Sequence, residues 1–279
     1  MKTLKETKKH SNLTLRIISG AIFIVLVISA LTINPWLFFI VFGFFTTIAL
    51  QEYYNICKAG GLQPDKITGT ILGLMVFVML FLHANGNITA KWLYALPAIM
   101  CILPIVEIYR QKPSPLANWA ATMFSQIYIA TSFGLMSYLL YDSGYFSPKT
   151  LLSVFIIIWI SDTGAYCAGT LFGKHKLIPR ISPKKTIEGL IGGVILALAA
   201  SYPIYLVTET YSFSQWLLIA TVCVLFANFG DLAESLIKRN AGIKDSGTIM
   251  PGHGGILDRF DSALLAIPPV WCVITLINN

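Results

Sequence analysis

Nine apolar runs, near 17–34, 35–56, 67–84, 92–109, 118–141, 151–173, 187–207, 214–237 and 260–277, leave this chain little choice of environment. Each has about 18 to 25 residues, enough for a helix to cross a hydrocarbon layer roughly 30 Å thick. A backbone in lipid must satisfy its own polar groups, and a helix does so within one segment. A composition that is 56% hydrophobic and 12% charged, with mean hydropathy +0.71, excludes an ordinary soluble domain. The fold class that follows is all-α, a polytopic integral membrane helix bundle of about nine transmembrane helices. No polar stretch is long enough for a soluble domain and no fixed period repeats, so residues 1–279 read as one membrane domain.

The net charge of +7 is unevenly distributed. With a cytoplasmic N-terminus, only Lys91 and Lys149 of the 20 basic residues fall on the outer side. Lys and Arg concentrate in cytoplasmic loops, so this bias sets the orientation and places loops 173–189 and 235–261 in the cytoplasm. Trp36, Trp92 and Trp216 then lie at outer helix ends and Trp119 at an inner one, where amphipathic rings favour the interface, the alternative being that some simply pack against neighbouring helices. The first apolar run follows a basic segment, as a signal peptide does. Eight further runs and no small-residue cleavage site predict that it is retained as a helix. Cys57, Cys101, Cys167, Cys223 and Cys272 stand singly, without metal-like spacing, and read as apolar packing residues.

Residues 1–145 form mainly scaffold helices with short turns. Glu52 and Glu107, near inner helix ends beside cations, read as paired or solvated interface charges. Residues 146–279 carry the chemistry. Asp162 lies midway along the run 151–173, where a carboxylate needs a proton, a partner or a watery cavity. Its neighbours Ser161, Thr163 and Gly164 predict a locally hydrated or interrupted helix. Pro268-Pro269 predicts an interruption of the last span, tolerable if neighbours satisfy the freed carbonyls.

Asp231, Glu234, Ser235 and Lys238 follow the spacing i, i+3, i+4, i+7, which puts them on one stripe of an otherwise apolar helix. Such a stripe must face the bundle interior or an aqueous cleft, and Glu234 also suits an i,i+4 pair with Lys238. Asp258 and Asp261 share a face at the start of the last run. Carboxylates that close repel unless a cation binds between them, and Mg²⁺, with or without a second cation, prefers oxygen ligands. Asp231, Asp258 and Asp261 are therefore the candidate metal ligands, with capping plus an Arg259 pair as the alternative for Asp258 and Asp261.

The loop between them holds Lys238, Arg239 and Lys244, and glycines whose amides can approach an anion closely. His253 has three roles open to it: binding phosphate, shuttling a proton or holding the turn. The loop 173–189 places Ser182, Lys184, Lys185 and Thr186 beside a helix start, a combination suited to an anion. Ordinary attraction to anionic lipid is the simpler alternative. There is no Walker A sequence, G-x-S-x-G elbow, H-E-x-x-H pair or dinucleotide fingerprint.

Residues 235–261, S-L-I-K-R-N-A-G-I-K-D-S-G-T-I-M-P-G-H-G-G-I-L-D-R-F-D, resemble the C-terminal signature of the bacterial phosphatidate cytidylyltransferases, or CDP-diacylglycerol synthases. The block S-P-K-K-T-I-E-G at 182–189 resembles a second element of that family. Met250 and Ile187 depart from the commoner residues at their positions but stay apolar. The resemblance implies that CTP and phosphatidate react, with Mg²⁺, to give CDP-diacylglycerol and pyrophosphate at the bacterial inner membrane. It implies catalytic roles for Asp231, Asp258, Asp261 and Lys238. Substrate contacts would come from Asp162, Ser182, Lys184, Lys185, Thr186, Glu188, Ser235, Arg239, Lys244, Asp245, His253 and Arg259. The expected partners are CTP, the lipid, the bilayer and, from the resemblance, a second copy in a homodimer; no nucleic acid is expected. Rival readings are CMP transfer to an ether-linked or isoprenoid phosphate, an ion-coupled transporter, and a structural or scramblase-like membrane protein.

Overall fold

The computed structural model describes residues 2–250, 252 and 254–278, with side chains from residue 17 onward. Among the described residues the chain forms α1 (Lys2–Thr32), α2 (Pro35–Ala59), α3 (Lys66–Ala84), α4 (Ala90–Arg110), α5 (Pro115–Leu140), α6 (Lys149–Phe172), α7 (Ile187–Thr208), α8 (Phe213–Asn240) and α9 (Leu257–Asn278). Helices α2 to α9 are long and apolar enough to cross a membrane, whereas the apolar part of α1, Ile17–Thr32, is shorter. Among the described residues the nine helices agree with the expected bundle of about nine, with α1 contributing the shorter apolar stretch Ile17–Thr32. A short antiparallel hairpin, β1 (Lys176–Ile178) and β2 (Ser182–Thr186), interrupts the all-helical pattern between α6 and α7.

Local chemistry sets the helix starts. Asn34 accepts the Leu37 N–H at 2.8 Å with Pro35 in the first turn, and Asp65 accepts the Thr68 N–H at 3.2 Å. Thr186 accepts the Gly189 N–H at 3.1 Å, and Ser212 with Gln215 forms a reciprocal capping box. Within α5 a π-helical turn spans Gln126–Thr131.

The two ends of the bundle are chemically different. At one end α2 and α8 finish side by side, since a Cβ on Gly60 would lie 3.6 Å from that of Ala241. The hairpin and the start of α9 belong to this basic end. At the other end Asp142 accepts bonds from Thr150 and Tyr211, both at 2.6 Å, and Lys149 Nζ donates to the Thr208 carbonyl at 2.9 Å.

Phe260 anchors α9 in the core. Its ring lies 5.0 Å from Phe133, 5.5 Å from Phe45, 5.7 Å from Phe23 and 5.8 Å from Phe42 between centroids. Aromatic packing of this kind buries the Phe260 side of the helix. Asp258 and Asp261 are turned toward other neighbours.

Three sequence expectations change here. Helix α6 runs unbroken through Asp162, and Gly164 serves packing: a Cβ there would sit 3.1 Å from the Gly192 carbonyl oxygen and 2.9 Å from Leu196. Helix α9 likewise continues through Pro268-Pro269, because Ser132 of α5 donates its hydroxyl at 2.7 Å to the Leu264 carbonyl that Pro268 leaves free. Trp216 is fully buried and packs edge-on against Tyr211 at 5.6 Å, so it is a packing residue and not an interface anchor.

Candidate active site

Four elements meet at the basic end: the last turns of α8, the first turns of α9, the middle of α6 and strand β2. The stripe on α8 forms as its spacing predicts. Ser235 Oγ donates to Asp231 Oδ1 at 3.2 Å, and Lys238 pairs with Glu234 one turn back. Glu234 is 1% exposed, so its charge has to be compensated locally, and Lys238 does this from the same helix.

Lys238 also joins α8 to α9, with its Nζ 2.6 Å from Asp258 Oδ1. Asp258 accepts two further bonds, from Gly255 N–H at 2.8 Å and Ser246 N–H at 3.0 Å. Its oxygens thus bind the loop 246–255 to the helix that follows. Asp258 pairs with Lys238, twenty residues earlier. Arg259 lines a cavity of about 280 Å³ together with Asp162, Asp258 and Asp261, opposite apolar residues of α1 such as Phe23 and Ile24.

Asp162, Asp231 and Asp261 lie within electrostatic reach of one another. Gly230 makes this possible: a Cβ there would lie 2.5 Å from the Asp261 carbonyl oxygen, so only glycine lets α8 and α9 approach so closely. Lys185 of β2 meets this cluster with Nζ 2.6 Å from Asp231 Oδ2. Beneath the hairpin a second cavity of about 380 Å³ is lined by Lys184, Lys185, Thr186, Asn228 and Asp231. Asp162 lines both cavities, so they adjoin at the acids.

Among the described residues, no three His, Cys, Asp or Glu side chains converge into a ready-made metal cage. The donor set nevertheless suits a hard cation that keeps part of its shell for phosphate oxygens, since Mg²⁺ is commonly held by one or two carboxylates plus substrate. A cation among Asp162, Asp231 and Asp261 would relieve their mutual repulsion.

Other sequence candidates have structural partners. Glu188 lies outside both cavity walls and holds the base of the hairpin, accepting from His175 Nδ1 at 2.6 Å and the Lys174 N–H at 3.1 Å. Thr186, although it lines a cavity, uses its buried oxygen to cap α7. Ser182 pairs with Ile178 in the hairpin, and Arg239 donates to the Ile243 carbonyl at 3.0 Å, bracing the turn after α8. Lys244 and Asp245 are exposed on that turn, away from both cavity walls, and His253 lies outside the described residues.

Two groups from the scaffold half were not legible as site residues. Glu52 of α2 is only 6% exposed and accepts from Leu257 N–H at 2.8 Å, Ile256 N–H at 3.1 Å and Ser246 Oγ at 3.1 Å. It is not a solvated interface charge. Glu107 does meet that expectation in part, pairing with Arg110 at 2.5 Å although it is buried. Tyr128, on the π-helical turn of α5, brings a buried hydroxyl into the field of Asp231, Glu234 and Asp261. Neither contact carries a periodic signal, because each joins segments far apart in the sequence.

The sequence has counterparts among known proteins. A model of the cytidylyltransferase family matches residues 14–277. The phosphatidate cytidylyltransferase of Staphylococcus saprophyticus is 36% identical over 223 residues, covering 79% of this chain and 83% of its own. That of Staphylococcus haemolyticus is 36% identical over 251 residues, covering 79% and 93%, and that of Staphylococcus epidermidis 34% over 252 residues, covering 89% and 94%. A family match over nearly the whole length, together with relatives above 30% identity across most of both chains, means that this chain belongs to the cytidylyltransferase family.

Proposed function

We propose that this protein transfers CMP from CTP to phosphatidate, producing CDP-diacylglycerol and pyrophosphate at the cytoplasmic face of a bacterial plasma membrane. The observation that carries the reading is the junction at Asp162, where a cavity bordered by Lys184 and Lys185 adjoins one that Arg259 shares with apolar residues of α1 and α6. The two lysines suit the triphosphate of a nucleotide, and Arg259 beside an apolar wall suits the phosphate of a lipid. The relatives' printed name supports the same substrates.

In this reaction an oxygen of the lipid phosphate attacks the α-phosphorus of CTP as the bond to the β-phosphate oxygen breaks and pyrophosphate leaves. The second pKa of a phosphate monoester lies near ~6, so the lipid is largely dianionic at neutral pH and needs no strong general base. The barrier lies in bringing two anions together. Lys184 and Lys185 attract the triphosphate beneath the hairpin. Arg259 lines the adjoining cavity, where it attracts the lipid phosphate. Lys238 fixes Asp258 and neutralises Glu234, which keeps α8 and α9 in register while charge shifts between the phosphates. Asp231 and Asp261 would hold Mg²⁺, with Asp258 adjoining, and the ion would supply charge neutralisation and Lewis-acid polarisation of the phosphoryl oxygens.

The test is purified protein with labelled CTP, phosphatidate and Mg²⁺, with both CDP-diacylglycerol and pyrophosphate measured. Equal amounts of the two products are expected. Formation of neither with well-dispersed lipid would overturn the assignment, and preference for an isoprenoid or ether-linked phosphate would redirect it.

A further inference from the structure

We infer that Glu52, from the half of the chain with no evident chemistry, is a positioning residue for the active site. The inference rests on the proposed reaction and names a part of its machinery outside both polar motifs. Near the start of α9 two carboxylates divide the backbone donors between them. Asp258 takes the N–H groups of Ser246 and Gly255, and Glu52 takes those of Ile256 and Leu257. Ser246 links the two acids, since its hydroxyl donates to Glu52 Oε2 at 3.1 Å while its amide donates to Asp258 Oδ2 at 3.0 Å.

The glycines on either side fit this arrangement. A Cβ on Gly247 or on Gly255 would lie 2.3 Å from a Glu52 carboxylate oxygen, so at both positions the backbone closes directly on that group. No Lys, Arg or His pairs with Glu52 among the described residues. Its compensation comes from oriented amides at a helix N-terminus, whose positive end favours a carboxylate. A chain of contacts therefore runs from Glu52 through Ser246 to Asp258 and Lys238. Helix α2 is rooted in the aromatic core through Phe38, Phe42 and Phe45. Through Glu52 that core fixes where Asp258 stands.

The experiment compares Glu52→Gln, Ser246→Ala and the double variant, with Glu107→Gln as a buried-acid control from the same half. Glu52→Gln keeps the size of the side chain but presents an amide to N–H donors. A displacement of about 1 Å in reacting groups can lower turnover about 100-fold. We expect kcat to fall by about that factor, with KM for CTP and for phosphatidate near wild type. The double variant should be no slower than the slower single one, because both changes cut the same chain of contacts. Wild-type kcat in Glu52→Gln would overturn the inference, as would losses that multiply in the double variant. A purely structural role would instead lower the thermal midpoint and the folded fraction while leaving kcat per folded molecule unchanged. Hydrogen exchange supplies a readout independent of activity: the amides of Ile256 and Leu257 should exchange faster in Glu52→Gln but not in Glu107→Gln. If wild-type protein made no nucleotide-lipid, the proposed reaction would fail while exchange still decided whether Glu52 holds the loop. Unchanged exchange would remove the inference by itself.

Discussion

Gly230→Ala perturbs the site through one methyl group. The added Cβ would lie 2.5 Å from the Asp261 carbonyl oxygen and 3.0 Å from Ser262 Cα, against an ordinary contact of 3.4 Å or more. Both obstacles are backbone and cannot rotate away, so α8 and α9 must separate by roughly 0.9 Å at this level. Overpacking on that scale typically costs about 1–3 kcal/mol, which a folded bundle can survive. The consequence for catalysis is larger, because Asp231 is the next residue on α8 and Asp261 stands directly across the seam. Displacing one acid from the other by nearly 1 Å should lower kcat about 100-fold. The assay is CDP-diacylglycerol formation by purified protein, normalised to the monodisperse fraction, alongside a thermal midpoint. Gly43→Ala is the control, since its Cβ would meet only the ring of Phe77, with atoms at 3.3 and 3.8 Å, away from the acids. Wild-type turnover in folded Gly230→Ala protein would refute the argument that the α8–α9 approach sets the acid cluster.

Lys238→Met should destabilise the protein by about 3–5 kcal/mol, because it strands the buried Glu234 carboxylate. Adding Glu234→Gln should recover much of that stability without restoring turnover, which thermal melts and product assays would separate. Lys185→Ala should cost less than about 1 kcal/mol, since its pair with Asp231 is partly exposed. It should nevertheless lower turnover by about 100-fold if Lys185 stabilises charge during transfer, and wild-type kinetics would remove it from the mechanism. Thr186→Ala should lose about 1 kcal/mol from the α7 cap while Thr186→Ser stays near wild type, as read from denaturation midpoints. For orientation, a cysteine replacing Lys244 should react with an impermeant maleimide only in inverted vesicles, and one replacing Asn87 only in intact cells; the opposite pattern would reverse the proposed topology.

The sequence alone determined the environment and the number of long helices to within one, because crossing a hydrocarbon layer demands long apolar runs that few other structures require. It also determined the stripe on α8: i, i+3, i+4 spacing fixes a shared face whatever surrounds the helix. Ser235 does meet Asp231, and Lys238 does meet Glu234. Only the tertiary structure decided which acids face one another. It set Asp162 among Asp231 and Asp261, gave Asp258 to Lys238, and gave Glu188 to the hairpin base. It alone revealed Glu52, which lies 205 residues from Leu257, whose amide it accepts. Helical periodicity specifies a face within one segment. The approach of two distant segments depends on packing details such as Gly230 and Gly255, where the absence of a side chain has meaning only once the neighbouring helix is in place.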